Sequence, residues 1–276
     1  MMLRAAVVAA LTTAPAWAND SEAGLSAGGL VLELRQNDRI EMQSEVLRIS
    51  PDRVQVDYVF LNHGSDDQTI TVAFPLPDLS ISPELPVGYY QGWQEDKDSL
   101  EFHITVDGRP VTPQAQRRAV LAGRDVTDRV TAAGLPLNPM LAAAMADNGV
   151  LLTPHQRALM PDGQPDWALE TVYHWQQTFP AGHPLRVSHD YRPISGGAII
   201  VPGQIDANDP SWAQFCPEGD FIAGADRLIG GPDGGYGFAR MVGYVLKTGA
   251  NWRGPIGVFP ADRGKAFHGF AGILLR

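Results

Sequence analysis

Apolar residues recur at every second position through much of this chain, a period that suits a strand and that a helix cannot place on one face. Ile40 and Met42 alternate with Glu41 and Gln43; Val54, Val56, Tyr58 and Phe60 with Gln55 and Asp57; Ile70, Val72 and Phe74 with Thr69 and Thr71. Each run reads as a strand with one face buried and the other wet. Ser50-Pro51-Asp52-Arg53 and the polar stretch Asn62 to Asp67 separate the runs, so the three are expected to form an antiparallel meander. The alternation changes phase between Met42 and Leu47, which predicts a β-bulge near Ser44. Leu100, Phe102, Ile104 and Val106 give a further strand, closed by Asp107-Gly108, a pair suited to a two-residue hairpin turn.

From Pro113 the period changes. Asp125 can cap a helix that stops at Gly134, Asn138-Pro139 opens another, and Thr153-Pro154-His155-Gln156 has the form of a capping box. The Ala-rich stretch Leu141 to Ala146 is short and ends at Asn148-Gly149, so it reads as a packed cap. Strands return at Trp167 to Phe179 and Leu185 to Tyr191, then a Gly/Pro-rich stretch from Ile194 to Gly237, then a last strand from Met241 to Leu246. The expected class is mainly β: an antiparallel β-sandwich, or two, with a small helical insert. The divisions are an N-terminal β region over 19–112, the insert over 113–160 and a C-terminal β region over 161–259.

Residues 1–18 are expected to be a signal peptide. Met1 to Arg4 supply a positive start, Ala5 to Leu11 an apolar run, and Ala16-Trp17-Ala18 the small-x-small cleavage pattern, with the cut after Ala18. Thr12, Thr13 and Pro15 interrupt the run, so it is too short to span the ~30 Å core of a bilayer. The expected product is exported, periplasmic, and without membrane insertion once the leader is removed. With 21 Lys+Arg against 31 Asp+Glu, the net charge is −10, and losing Arg4 with the leader makes it −11. Nucleic acid and anionic lipid need a basic footprint, so neither is an expected partner.

Four of the seven histidines, His155, His174, His183 and His189, fall close together and raise the question of a metal site. A hairpin centred on Gly182 would match apolar face to apolar face, pairing Phe179 with Leu185, Gln177 with Val187, Trp175 with His189 and Tyr173 with Tyr191. His189 then faces Trp175, while His174 lies on the other face, across from Asp190. A zinc site needs three or four convergent ligands, which this register does not give. His174, His189 and Asp190 are the candidate ligands for any metal. The sequence has no His-Glu-x-x-His and no phosphate loop; Ser195 follows a strand without a nucleophile-elbow motif around it, and Gly230 to Gly235 lacks a lysine. No catalytic residue and no cofactor is assigned. The expected function is non-catalytic binding or interaction within the cell envelope, with a protein or glycan partner. The alternatives are a periplasmic hydrolase or metal-dependent enzyme using His174, His189 and Asp190, and a structural or assembly factor.

A series of short motifs resembles the bacterial domain-of-unknown-function family 4424. They are Asn19-Asp20-Ser21, Gly28-Gly29-Leu30, Met42-Gln43-Ser44-Glu45, Tyr58-Val59-Phe60-Leu61-Asn62, Ala73-Phe74-Pro75-Leu76-Pro77, Phe179-Pro180-Ala181-Gly182 with His189-Asp190-Tyr191-Arg192-Pro193, and Thr248-Gly249-Ala250-Asn251-Trp252 with Gly254-Pro255-Ile256. The likeness implies an exported, mostly β protein of undefined activity. The element Phe74-Pro75-Leu76-Pro77, followed by a strand ending in Val106-Asp107-Gly108, is also similar to the vault-protein inter-alpha-trypsin domain. Over 260–276 the chain leaves the first family's pattern, which leads to another strand and then a cysteine. Shifting the frame by one nucleotide at about Phe259 permits both, so a frameshift is expected there. On that resemblance the lone Cys216 is half of a disulfide whose partner lies in the displaced segment.

Overall fold

The computed structural model describes residues 20–25, 31–50, 52–81, 100–193, 195–209, 212, 217–230, 235–244, 250–262 and 270–275. In chain order the elements are β1 (Ser21–Leu25), β2 (Leu32–Arg35), β3 (Ile40–Ile49), β4 (Val54–Asn62), β5 (Gln68–Pro75), β6 (His103–Val106), β7 (Arg109–Val111), β8 (Gln114–Leu121) and β9 (Arg124–Asp125). Helices α1 (Thr127–Ala132), α2 (Pro139–Asp147) and α3 (Pro154–Arg157) follow, then β10 (Ala168–Phe179), β11 (Pro184–Tyr191), β12 (Ser195–Ile200), α4 (Gly219–Ile229), β13 (Gly237–Tyr244), β14 (Ala261–Asp262) and β15 (Phe270–Leu275). Among the described residues the strands form two six-stranded sheets, in the orders β2-β1-β5-β10-β8-β9 and β14-β3-β4-β11-β6-β7, and a three-stranded sheet β12-β13-β15.

The fold is mainly β, as expected, and the two large sheets form one sandwich to which both predicted β regions contribute. Its core joins Val56, Tyr58 and Phe60 of β4 and Val187 of β11 from one sheet to Val72 and Phe74 of β5 and Trp175 of β10 from the other. Each of these side chains stabilises the fold by about 1.5–3 kcal/mol on burial. β4 shows the strict alternation that makes this possible, with Val54, Val56, Tyr58, Phe60 and Asn62 inward.

Two connections correct the expected pairings. β3 and β4 do form a hairpin, with the register shift between Met42 and Ser44 where the phase change predicted a bulge. β5, however, pairs with β1 and β10 in the opposite sheet, so the third strand of the meander is absent. Likewise β10 and β11 do not pair with each other: β10 lies between β5 and β8, β11 between β4 and β6. The alternation could not separate these cases, because apolar faces also meet when two consecutive strands lie across a sandwich. Asn62 ties the two crossings together. Its side-chain amide donates to the carbonyls of Asp66 (2.9 Å) and Phe179 (3.0 Å), and its own carbonyl accepts from the Gly182 N–H at 2.9 Å.

The helical insert begins later than the sequence indicated, because Gln114–Leu121 and Arg124–Asp125 are strands joined at Ala122-Gly123. β8 is polar on both faces, with Ala119 its one buried described residue, so it gave no period to read. Two of the helix signals after it hold: Asn138 accepts from the Met140 N–H at 2.9 Å, and Thr153 and Gln156 complete their capping box. Asp125 instead ends β9 and Val126 is the cap residue of α1, although the Asp125 carboxylate accepts from the Thr127 N–H at 2.9 Å. The helices close over Ala119, Val130, Met160 and Trp167, and α2 buries Met140, Ala142 and Ala143. Asp107 (φ 46°) and Gly108 (φ 74°) turn β6 into β7 as predicted. The Gly/Pro-rich stretch from Ile194 to Gly237 contains β12 and α4. The leader and Cys216 lie outside the described residues.

Candidate functional site

The three candidate ligands of the sequence are not brought together. Tyr173 and Trp175 of β10 enter the core, so His174 between them opens onto the outer face of its sheet. His189 and Tyr191 of β11 enter the same core from the other sheet, so Asp190 opens onto the opposite outer face, where Arg53 pairs with it and Gln55 donates to it at 2.8 Å. Partial burial lowers the His174 pKa below the ordinary histidine value. Among the described residues no three His, Cys, Asp or Glu side chains gather as a metal set.

His189 is 1% exposed and ringed by aromatic groups: Phe74 at 5.0 Å, Phe102 at 5.3 Å, Tyr58 at 5.4 Å and Trp175 at 5.5 Å between ring centroids. The Trp175 contact expected from a hairpin exists, but it is made across the sandwich. Within the box the His189 Nε2 lies 3.2 Å from the carboxylate of Asp20, which is fully buried. The Trp252 indole N–H donates to the Asp20 carbonyl at 2.8 Å, and Asn251 Nδ2 donates to Ser21 Oγ at 2.9 Å. Glu45 is also fully buried; burial first, and then the charge of Glu45, drives the Tyr191 hydroxyl well above the ordinary phenol pKa. This cluster is sealed from solvent. It organises the core and offers no access to a solute.

A cleft of about 410 Å³ lies over the outer face of the first sheet. Val172 of β10 and Pro75 of β5, register partners, form part of its floor, and Glu170 of β10 sits opposite Arg118 of β8. The β1–β2 hairpin supplies another wall through Leu32, Glu33 and Leu34. β2 and β8 are not sheet neighbours, yet the Leu32 N–H donates to Gln116 Oε1 at 3.1 Å, which fixes the hairpin against β8. Arg118 is committed to two carboxylates, pairing with Glu170 and, at 3.5 Å, with Asp125. Hydrogen bonding by Thr127 is the largest influence on Asp125 and, with a lesser contribution from Arg118, holds its carboxyl below the usual carboxylate range against the opposing effect of burial.

Asp78 stands in the same wall with no hydrogen bond to its carboxylate among the described residues. Water reaches it through the mouth of the cleft, but enough protein surrounds it that burial, and next the charge of Glu170, outweigh Arg118 and push its pKa up to about 6. Ionised Asp78 therefore opposes folding, fully above pH 6, and the penalty fades as pH falls from there toward the unfolded value of 3.8. The Asp78→Asn variant is expected to melt higher than the parent at pH 8, with the gain shrinking steadily to pH 4. Calorimetric melting across that range checks it, and a gain independent of pH would contradict the assignment.

A model of the family described as "Domain of unknown function (DUF4424)" matches residues 18–262. The chain belongs to this family. No curated protein matches the sequence. Among solved structures, the DUF4424 chain is similar to the crystal structure of a "putative nutrient binding protein" from Legionella pneumophila, with 16% sequence identity and a TM-score of 0.38. The alignment covers 87% of this chain and 50% of the Legionella chain, so the DUF4424 chain spans about half that protein's length.

Of the two centres of this DUF4424 protein, sequence reasoning singled out His189 but neither its buried neighbour Asp20 nor the cleft. Asp20 was legible as a motif residue beside the expected cleavage point, but nothing local marks it as a core residue 169 positions from its histidine. The cleft needed β8 to be read as a strand, since only that places Arg118 opposite Glu170. With β8 in place, the Arg/Glu cross-strand pair is the signal that could have found it.

Proposed function

We propose that this protein is exported and acts without catalysis, binding a small solute in the cleft over its first sheet. The observation that carries this reading is the cleft itself. Its volume of about 410 Å³ falls in the range of small-molecule sites, ~300–1,000 Å³, and its lining mixes apolar side chains with a few convergent polar groups. The leader pattern supports export, and the acidic surface supports a partner other than nucleic acid or anionic lipid. The hydrolase or metal-enzyme alternative on His174, His189 and Asp190 loses support, because one side chain is in the core and the other two open on opposite faces.

The test uses protein purified from periplasmic extract, with its N-terminus sequenced, in a thermal-shift screen against sugars, amino acids, amines and organic acids. At least one class should raise the melting temperature of the wild type, by roughly 2.7 kcal/mol of stabilisation at a hundredfold excess over Kd. Val172→Trp, which fills the cleft floor from a half-buried position, should abolish that rise while leaving the unliganded melting temperature nearly unchanged. A ligand that stabilises both proteins equally would rule out the cleft. Recovery of the chain only in the cytosol would rule out export.

A further inference from the structure

We propose that the cleft takes an amphipathic organic cation, an ammonium group set against Asp78 with its alkyl body over Leu32, Leu34, Leu76 and Val172. This rests on reading the cleft as the binding site and names the class of ligand that the site would select.

The charges lining the cleft set the sign of the ligand. Among the described residues, Glu33 from β2, Asp78 from the segment after β5 and Glu170 from β10 face it, against Arg118 of β8 as the one lining cation. Arg118 is not available to an anion, because Glu170 and Asp125 already occupy its guanidinium. An anionic ligand would meet an excess of carboxylates with the one cation spent. A cation would meet Asp78, whose carboxylate has no hydrogen bond among the described residues, with the exposed Glu33 nearby. The whole-chain charge of −10 would steer such a ligand inward as well.

The apolar walls set the rest of its shape. Leu32 and Leu34 from the hairpin, Leu76 beyond β5 and Val172 from the floor line the same space, which rewards a hydrocarbon body over a fully hydrated ion. Gln116 is held by the Leu32 N–H, so the hairpin wall is fixed in place rather than supplied by the ligand. Binding should also respond to pH. An ammonium needs Asp78 ionised; burial and the charge of Glu170 oppose that ionisation and Arg118 favours it, while Glu33 lines the same cleft. With the Asp78 pKa at about 6, affinity should drop about tenfold between pH 7 and pH 5.

Isothermal titration at pH 7.5 with n-hexylammonium chloride, hexanol and hexanoate compares one hydrocarbon body under three head groups. Hexylammonium should bind the wild type at least ~10-fold more tightly than hexanol, with hexanoate weakest. Asp78→Asn should remove the ammonium advantage and its pH dependence while circular dichroism shows the fold unchanged. Calcium chloride alone should leave the hexylammonium isotherm unaltered, and competitive displacement would overturn an organic cation. Absence of hexylammonium binding, equal or tighter binding of hexanol or hexanoate, or an undiminished isotherm in Asp78→Asn would also overturn it. Hexanol binding that Val172→Trp blocks, with no ammonium advantage, would sink the cation and leave the cleft as the site. Isotherms untouched by Val172→Trp would sink the site itself.

Discussion

Replacing Trp252 by alanine is expected to remove about 3–5 kcal/mol of folding free energy. The indole is 1% exposed, with ring centroids 5.0 Å from Phe60 and 6.0 Å from Phe179, so its loss empties a large volume between both sheets. Its N–H also satisfies the carbonyl of Asp20, which has no water to turn to. Domains typically hold only ~5–15 kcal/mol, so this one change takes a substantial share. Trp252→Phe separates the two contributions, since it keeps most of the packing and loses the hydrogen bond, and it should cost about 1–3 kcal/mol. Urea denaturation measures both. A loss below ~1 kcal/mol for the alanine variant would mean that the segment around Trp252 does not close the core.

Asp20→Asn should be comparably damaging although the two side chains have nearly the same shape. Leaving a buried polar group without its partner costs about 1–3 kcal/mol, and more where the group is charged, because nothing in a low-dielectric site replaces the contact. Here that site is an aromatic box with both side chains at 0% exposure. The pair's attraction can be isolated with Asp20→Asn, His189→Gln and the double variant. The two single losses should sum to more than the double loss, by ~1–3 kcal/mol for groups in direct contact. Strict additivity would show that the two residues contribute independently.

Much of the sandwich was readable from its own strands. The alternation in β4 put Val54, Val56, Tyr58 and Phe60 inside, the phase change in β3 located the bulge, and Asp107-Gly108 marked a real hairpin, while Asn62, read as loop, is also buried. These are local properties, fixed by side-chain direction and turn geometry. Which sheet a strand joins is not local. Pro180 to Pro184 and Asn62 to Asp67 read as hairpin loops, and both are crossings, because the choice is made by Asn62 and its partners far along the chain. The site shows the same division. His189 was correctly placed on Trp175, while Asp20, the residue that completes the pair, is reached only through the folded core.

The hydrogen bond between Trp252 and Asp20 spans 232 positions of sequence. β1, the first strand, starts beside that bond, so its seating must wait until almost the whole polypeptide is present. Loop closure over such a distance slows the final step and lengthens the life of a chain with an open first sheet. Closure of the N-terminal strand is thus among the last events of folding, with Trp252 acting as the latch for Asp20.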